Sequence, residues 1–480
     1  MLLQNQSAKV AIAHSPSVQD KIETILFSLL LLFLPTQFGK HFWPPFSFIL
    51  GQRIDYLSPT LYVTDILIFL LFIIWVIEAG HKHKNTVPLL GGGWGWVTSA
   101  LLVILVILFF TFNISLSPSP QEGLYGLLKL FEIGFLTYYT GNILRTNQKI
   151  ILFPLVFGII SESVLATLQF FTQGSLGGIL YYFGERTFTS VTPGIANASI
   201  NGQLLLRPYG TFSHPNVLAG YLVIGMTILL MCHPGCAALI KASTLGVTRI
   251  WGGDKASRNF GSQDSGQAGM TKNFFYLFTL LIGTVGLCLT LSRVAILVWV
   301  FVCAFLLIRY FQKRLFPKKI LLIANGLLGF FVVALFIISP LIPRFSQLTM
   351  QDESVVLREQ LATDAFNMMF AHPVFGVGLH NFLIALPHYD FSRGSVFSIQ
   401  PVHNIFLLTG AETGFVGLWI FMSFVIWLYI KLFKQYRLSV CIIFLTEIIL
   451  LGSFDHYFLT IQQGQLLLGL VIGICFSVLS

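Results

Sequence analysis

Three short segments of the chain place a charged or titratable side chain next to a proline, a glycine or a tight turn. They are Arg207 to Asn216, Ser292-Arg293 between two apolar runs, and Pro401 to Asn404. Arginine binds phosphate groups through a fixed fork of donors, and the imidazole of His403 can take up a proton near neutral pH. These residue types therefore predict a site that holds an anion and accepts a proton.

Each candidate also has a structural interpretation. Ser213 and Asn216 could cap a helix that begins near Pro215, and Arg293 could extend its charge to lipid headgroups. A surface histidine commonly has no function, and several others compete with His403. The competing histidines are His372, His380, His388 and His456. We favour His403 because it lies at the predicted outer end of a helix.

The composition of the chain indicates which elements must position these residues. Of the 480 residues, 55% are hydrophobic and only 10% are charged, and the mean hydropathy is +0.81. Soluble domains carry about 25% charged residues. The composition therefore excludes a soluble enzyme, a disordered protein and a nucleic-acid-binding protein, and it predicts an all-α polytopic membrane protein.

Apolar runs close to the length of a bilayer crossing predict about twelve transmembrane helices. We place them at residues 22–38, 60–79, 97–112, 123–140, 150–171, 215–231, 274–290, 294–310, 320–339, 404–430, 438–452 and 464–479. The chain is predicted to form a single integral membrane domain over residues 1–480. Within it we expect an outer loop at 172–214, a polar cytoplasmic linker at 233–272, and a large outer loop at 340–402 before the tenth helix.

Basic residues give these helices a direction. With the N-terminus inside, 19 of the 28 Lys and Arg residues lie in inner loops, 8 lie in outer loops, and Lys129 lies within a span. Because loops on the cytoplasmic side are enriched in basic residues, this distribution predicts twelve spans with both termini in the cytoplasm.

The outer basic residues are almost all arginine. They are Lys40, Arg53, Arg186, Arg207, Arg293, Arg344, Arg358 and Arg393. Orientation in the membrane explains the inner surplus, but it does not explain why arginine predominates outside. The planar guanidinium suits phosphate better than the ammonium of lysine does. Alternatively, these arginines pair with outer acids such as Asp352, Glu353, Glu359 and Asp364.

The sequence predicts neither a metal site nor a cofactor. The outer acids show no recognisable ligand pattern for Mg²⁺ or Mn²⁺. Cys232, His233 and Cys236 are spaced loosely like zinc ligands, but a fourth ligand is missing, so we interpret the spacing as incidental.

A transporter is the competing class of protein. Ionisable residues inside the spans support it, because such groups commonly mark transport pathways; they are Asp65, Lys129, Glu132, Glu162, Glu412 and Glu447. However, Lys129 and Glu132 are three residues apart and can pair on one helix face. A transport site should also lie at mid-depth, whereas the candidate segments lie at the outer surface. A structural scaffold without catalytic activity is the third class.

Several segments of the chain, taken in order, resemble the bacterial O-antigen ligase family. They are Leu34 to Lys40 (LPTQFGK), Gly184 to Phe188 (GERTF), Arg207 to Asn216 (RPYGTFSHPN), Ser292-Arg293, Gly376 to Phe382 (GVGLHNF), His403-Asn404 followed by Glu412, Gly414 and Gly417, Phe454 to Tyr457 (FDHY), and Gln462 to Gly464 (QQG). The resemblance extends from the first predicted span to the last.

This resemblance implies a GT-C-like membrane glycosyltransferase of the cell envelope, active at the outer face of the cytoplasmic (inner) membrane. The implied donor is a glycan on undecaprenyl pyrophosphate. Ligases of the family pass the glycan to lipid A–core in lipopolysaccharide biosynthesis. Related polymerases extend a lipid-linked repeat unit, and related protein O-oligosaccharyltransferases use a Ser or Thr of a polypeptide. The sequence leaves these acceptors open.

The resemblance also implies roles for particular residues. The two arginines and the histidine of the family fall on Arg207, Arg293 and His403. The arginines are expected to hold the pyrophosphate and His403 to act as the base in a metal-independent, inverting reaction. We expect further substrate contacts from a second group of residues, namely Arg186, Lys40, His214, Arg358 and Asn404.

Overall fold

The protein is mostly helical. A computed structural model describes residues 18–82, 95–200, 203–232, 268–313, 353–389, 399–436 and 440–479. The long helices in these ranges are α1 (Val18–Phe33), α2 (Val63–Lys82), α3 (Gly95–Ser115), α4 (Pro120–Thr146), α5 (Leu152–Thr172), α6 (Pro215–Cys232), α7 (Ala268–Leu289), α8 (Arg293–Lys313), α9 (Glu353–Ala371), α10 (Ile405–Tyr436), α11 (Val440–Gly452) and α12 (Gln462–Leu479).

Eleven of the twelve predicted spans coincide with long helices, and the ninth, 320–339, lies outside the described residues. Helix α9 instead belongs to the predicted large outer loop. By length and apolar composition, the helical stretches Lys149–Thr172, Ile405–Lys434 and Gln462–Leu479 can each cross a membrane. Shorter apolar stretches occur in α3, α6, α7, α8 and α11. A mostly helical chain with candidate membrane-spanning helices is thus confirmed, while the number of crossings stays a prediction.

Short strands in two connecting segments correct the expectation of an all-α chain. Between α1 and α2, β1 (Gly39–His41) pairs with β4 (Thr60–Tyr62), and β2 (Phe48–Ile49) pairs with β3 (Gln52–Arg53). Between α5 and α6, β5 (Asn197–Ile200) pairs with β6 (Gln203–Leu206). All three pairs are antiparallel. Strands of two to four residues are too short to show the alternation that identifies a strand in a sequence.

Helix α6 lies at the centre of the helical core. Its side chains from Val217 to Leu229 are buried almost completely, on every face of the helix. A helix that is apolar all round is expected in such a position. Helices α5, α7 and α8 pack against α6, and α4 packs along α12. Because α6 is fixed in the core, the segment that leads into Pro215 is fixed as well.

Helix α10 is interrupted at Gly414, where the backbone is not helical (φ 67°, ψ −173°). The interruption exposes carbonyl groups that would otherwise bond within the helix. Those of Ala411 and Glu412 accept hydrogen bonds from the amides of Val377 (2.9 Å) and Gly378 (3.0 Å). The segment after α9 is thereby attached to the helix that begins beside His403.

The side chain of Asn113 on α3 reinforces this attachment. Its Nδ2 donates to the carbonyls of Phe375 (2.6 Å) and Glu412 (2.9 Å), and its Oδ1 accepts from the Leu379 amide (2.8 Å). One buried amide thus connects α3, α10 and the segment that follows α9.

Gly414→Ala is expected to destabilise the protein by about 2–4 kcal/mol. A β-carbon at this position would lie 2.6 Å from the carbonyl carbon of Val374, and the positive φ is itself costly for alanine. Thermal unfolding of the detergent-purified protein measures the effect. Gly134→Ala in α4 is the control, since a β-carbon there has nothing within 4 Å. Equal unfolding temperatures for the two variants would contradict the assigned role of Gly414.

Candidate functional site

The segment from Arg207 to Asn216 is shaped by a buried glutamine on α5. The Oε1 of Gln169 accepts from the amides of Tyr209 (3.0 Å) and Gly210 (2.8 Å), while its Nε2 donates to the Gly210 carbonyl (3.0 Å). Gln169 is completely buried. Its single side chain therefore satisfies three backbone groups that would otherwise be buried without partners.

A buried carboxylate two turns earlier on α5 fixes the next residue of the segment. Glu162 accepts from the amide (2.9 Å) and the hydroxyl (2.7 Å) of Thr211. Gly210 has φ +60°, and a β-carbon there would collide with the Glu162 carboxylate. Gln37, from the segment after α1, donates to the Thr211 carbonyl (3.0 Å). The glycine and the carboxylate together set the direction in which the chain enters α6.

Arg207 uses its fork of donors to join two helices. Its Nε donates to the Thr290 carbonyl (2.8 Å) at the end of α7, and its Nη2 donates to Oδ1 of Asn216 (2.6 Å) in the first turn of α6. Arg293, the first residue of α8, follows Thr290 across a tight turn in which Leu291 has φ +54°. The structure thus brings the segments that carry the two predicted arginines to one junction, next to the N-termini of α6 and α8.

Asn216 continues the network from Arg207 to a carboxylate. Its Nδ2 donates to Oδ2 of Asp455 (2.7 Å), and Oδ1 of Asp455 accepts from the His456 amide (2.8 Å). The rings of His403 and His456 stack with centroids 5.1 Å apart. One ligand atom from each of His403, Asp455 and His456 lies within 4.8 Å of the others. The hydrogen-bond network from the predicted arginine therefore ends at Asp455, close to the predicted base His403.

The imidazoles around Asp455 are neutral at neutral pH. Burial, and then the charge of Arg207, lower the pKa of His214 to about 3. Burial lowers the pKa of His456 to about 3, although Asp455 opposes the shift. Burial also lowers the pKa of His403. The charge of Asp455 opposes this shift, and the charge of Arg358 adds to it. A neutral His403 ring is in the form that accepts a proton.

Asp455 itself is ionised. Burial raises its pKa, but the neighbouring histidines and the hydrogen bond from Asn216 outweigh that effect and lower it to about 2. The carboxylate is 9% exposed. A negative charge is consequently held beside the ring of His403, where it would stabilise the imidazolium that forms when His403 takes up a proton.

The competing histidines have different surroundings. His372 and His388 are exposed. Nδ1 of His380 pairs with Oε1 of Glu122 at 2.7 Å; burial lowers the pKa of His380, but this carboxylate raises it by more. His456 shares the site, but it is only 3% exposed and its Nδ1 lies 2.6 Å from the Thr460 hydroxyl. His403 is more accessible than His456.

Two more of the predicted contact residues lie at the edge of the site. Nη1 of Arg186 donates to the Ser213 carbonyl (3.4 Å), and Nη2 lies 3.8 Å from Asp55. Arg358 on α9 acts electrostatically on both His403 and His456. The aromatic ring of Tyr56 packs edge-on against His456 (5.5 Å), so the segment between α1 and α2 also reaches the site.

Two other predicted contact residues, Asn404 and Lys40, make contacts that stabilise local structure. Asn404 caps α10, because its Oδ1 accepts from the amides of Phe406 (2.8 Å) and Leu407 (3.0 Å). Lys40 is exposed on β1, with its ammonium 5.6 Å from the centre of the Phe42 ring. Arg344 and Arg393 lie outside the described residues.

Sequence reasoning missed the roles of Asn216, Asp455 and His456. Asn216 was interpreted as a possible cap, and Asp455-His456 was noted only within a segment that fits the family. The grouping of Asp455 with two histidines was not foreseen either. His403 and Asp455 lie in different connecting segments, so no local spacing indicates that they meet.

Ionisable residues within the predicted spans form hydrogen bonds or ion pairs with neighbouring side chains. Lys129 lies 3.0 Å from Asp65 and 2.9 Å from Glu132, which confirms the predicted pairing of Lys129 with Glu132. Glu162 holds Thr211, and Glu447 accepts from the hydroxyl of Thr227 on α6.

A family model described as O-antigen ligase matches residues 278–422. The match confirms the family resemblance that the sequence segments indicate. The matched stretch includes Arg293 and His403, whereas Arg207 and Asp455 lie outside it. No curated protein matches the chain.

Proposed function

We propose that the chain is a membrane glycosyltransferase of the O-antigen ligase or polymerase type, because residues 278–422 match the family model described as O-antigen ligase. It transfers a glycan from an undecaprenyl-pyrophosphate carrier to an acceptor hydroxyl at the outer face of the cytoplasmic membrane. The observation that carries this proposal is the network from Arg207 through Asn216 to Asp455, beside His403.

The charges around the site suit a pyrophosphate. Arg207 is joined to the buried carboxylate of Asp455 through Asn216, and Arg293 opens α8 at the same junction as Arg207. Arg186 donates to the Ser213 carbonyl in the same segment, and Arg358 acts electrostatically on His403. Guanidinium groups and helix N-termini both stabilise phosphate oxygens. They can therefore neutralise the charge that develops on the leaving group without a metal ion.

The proposed reaction is a direct displacement. Neutral His403 takes the proton of the acceptor hydroxyl while that oxygen forms a bond to the anomeric carbon of the glycan. The bond from this carbon to the pyrophosphate oxygen breaks, and its electron pair leaves with the undecaprenyl pyrophosphate. Attack opposite the leaving group inverts the anomeric configuration. Asp455 stabilises protonated His403 until the proton passes to water.

Transport is the less favoured function. The buried ionisable residues that suggested it have structural partners: Lys129 pairs with Asp65 and Glu132, and Glu162 supports the Arg207 segment. Such pairing is expected of residues that stabilise a helical core. The titratable cluster is formed instead by segments that connect helices: His403 precedes α10, and Asp455 and His456 lie between α11 and α12.

Deleting the gene and separating the surface glycans on a gel tests the proposal and identifies the acceptor. A ligase predicts that the glycan-bearing lipid band disappears, and a polymerase predicts its collapse to single repeat units. A protein O-oligosaccharyltransferase predicts instead that the glycan is lost from polypeptides. Complementation with the wild-type gene should restore the pattern. A strain whose glycans on lipid and protein are all unchanged would contradict glycan transfer and return attention to transport.

A further inference from the structure

The cluster of His403, Asp455 and His456 has the composition of a transition-metal site. Two imidazoles and one carboxylate offer ligand atoms that all lie within 4.8 Å of one another. Imidazole ligands favour Zn²⁺, Cu²⁺, Ni²⁺ or Fe²⁺ over Mg²⁺ and Ca²⁺. Three ligands bound to one tetrahedral ion about 2 Å away lie roughly 3.3 Å from one another. Small side-chain rotations would therefore close the cluster around an ion and leave its fourth position open.

Neighbouring residues form hydrogen bonds with the side chains of the cluster, as residues around a metal site usually do with its ligands. Nδ1 of His456 lies 2.6 Å from the Thr460 hydroxyl, which leaves Nε2 of the ring for an ion. Asp455 accepts from the Asn216 side chain and from the His456 amide, and a carboxylate has further lone pairs. Hydrogen bonds of this kind fix ligand orientation and commonly change metal affinity 10- to 100-fold.

Positive charge opposes a bound cation and sets a limit on its affinity. Arg358 acts electrostatically on both histidines, and Arg207 is connected to Asp455 through Asn216. The carboxylate supplies the negative charge that a divalent ion needs. Removing the charge of Arg358 should therefore raise the affinity for a metal ion, whereas it would lower the affinity for a pyrophosphate.

We propose that His403, Asp455 and His456 form a binding site for a divalent transition metal such as Zn²⁺, and that the bound ion inhibits glycan transfer. A metal ion would occupy the ring nitrogen of His403 that is needed to accept the proton of the acceptor. The metal-free protein is the active form in this proposal. The inhibition rests on the proposed glycan transfer, whereas the metal site itself rests on the geometry of the three side chains.

The full chain, purified in detergent and carrying Cys232→Ser and Cys236→Ser, is the protein for the test. The two replacements remove the loosely spaced thiols that would bind zinc independently. Zn²⁺ affinity is measured by competition with a chromophoric chelator, and Co²⁺ binding is measured by its visible absorption. We expect one ion per chain. Asp455→Asn and His456→Gln should each weaken binding at least tenfold, and Arg358→Gln should strengthen it severalfold.

Two further variants control for misfolding and for non-specific binding. Thr460→Val keeps all three ligands and removes only the hydroxyl beside Nδ1 of His456, so we expect a weakening of about tenfold. His388→Gln removes an exposed histidine from the segment after α9 and should leave the affinity unchanged. Zinc affinity that is unchanged in both Asp455→Asn and His456→Gln would overturn the site, as would the absence of any Zn²⁺ binding in the parent protein.

The outcome separates this proposal from the proposed function. If zinc binding depends on Asp455 and His456 but glycan transfer is never found, the metal site is supported and its inhibitory role is contradicted. If the protein transfers glycan at the same rate with and without Zn²⁺, the inhibition is overturned while the glycosyltransferase stands.

Discussion

Replacing His403 with alanine is expected to abolish glycan transfer while the protein stays folded. General bases contribute about 10²–10⁴-fold to rate, and the partly exposed ring is not part of the buried core. The arginines of the site remain in this variant, so the donor should still bind. Turnover and the binding of a fluorescent lipid pyrophosphate are measured on the same preparation. His388→Ala, an exposed histidine from the segment after α9, is the matched control and should keep full activity.

The pH profile gives a second measure of the same base. The neutral ring is the active form, and it is lost as the pH falls through the pKa of His403. Burial lowers this pKa from the ordinary value of 6.5. Transfer should therefore stay constant as the pH falls to about 6.5 and decline only in more acidic solution. An active His403→Ala variant would assign the base to another residue. A variant that has lost donor binding along with transfer would contradict a role for His403 confined to proton transfer.

Arg207→Lys is expected to reduce transfer by about 10²–10³-fold, the usual effect of removing a donor that stabilises developing charge. Lysine keeps the positive charge but lacks the fork that reaches both the Thr290 carbonyl and Asn216. Asn216 would lose the partner that orients it towards Asp455. We expect the larger effect on kcat, because the developing charge on the leaving group is greatest in the transition state.

Arg53→Lys controls for the loss of any arginine from this face of the protein. Its side chain is 62% exposed and lies 3.8 Å from Asp55, so activity should be nearly normal. Arg293→Lys is expected to lose most activity, because lysine lacks the fork of donors that can hold a phosphate group at two points. A fully active Arg293→Lys variant would favour the alternative in which this residue only extends to lipid headgroups.

Features that depend on local sequence could be predicted. Helix α6 begins at Pro215 as expected, since proline suits the first turn of a helix. The turn between α7 and α8 is as tight as the two adjoining apolar runs require. The pairing of Lys129 with Glu132 follows from their spacing on one helix. In each case the residues concerned are close together in the chain.

Features that depend on distant residues could not be predicted. Asp455 meets Asn216 only because α6 and α11 pack together, and a helical period contains no information on which helices become neighbours. The interruption of α10 at Gly414 depends on amides supplied by the segment after α9. The sequence predicts an uninterrupted span at 404–430, but the structure breaks that helix at Gly414.

The most direct test measures transfer by the purified protein in the presence of a chelator. The donor is a glycan on undecaprenyl pyrophosphate, and the acceptor is the lipid fraction or polypeptide that the deletion strain leaves unglycosylated. We predict equal amounts of released undecaprenyl pyrophosphate and glycosylated acceptor, with an inverted anomeric configuration determined by NMR and a rate that the chelator does not lower. Retention of configuration, a requirement for added metal, or intact donor after prolonged incubation with a folded protein would contradict the proposed reaction.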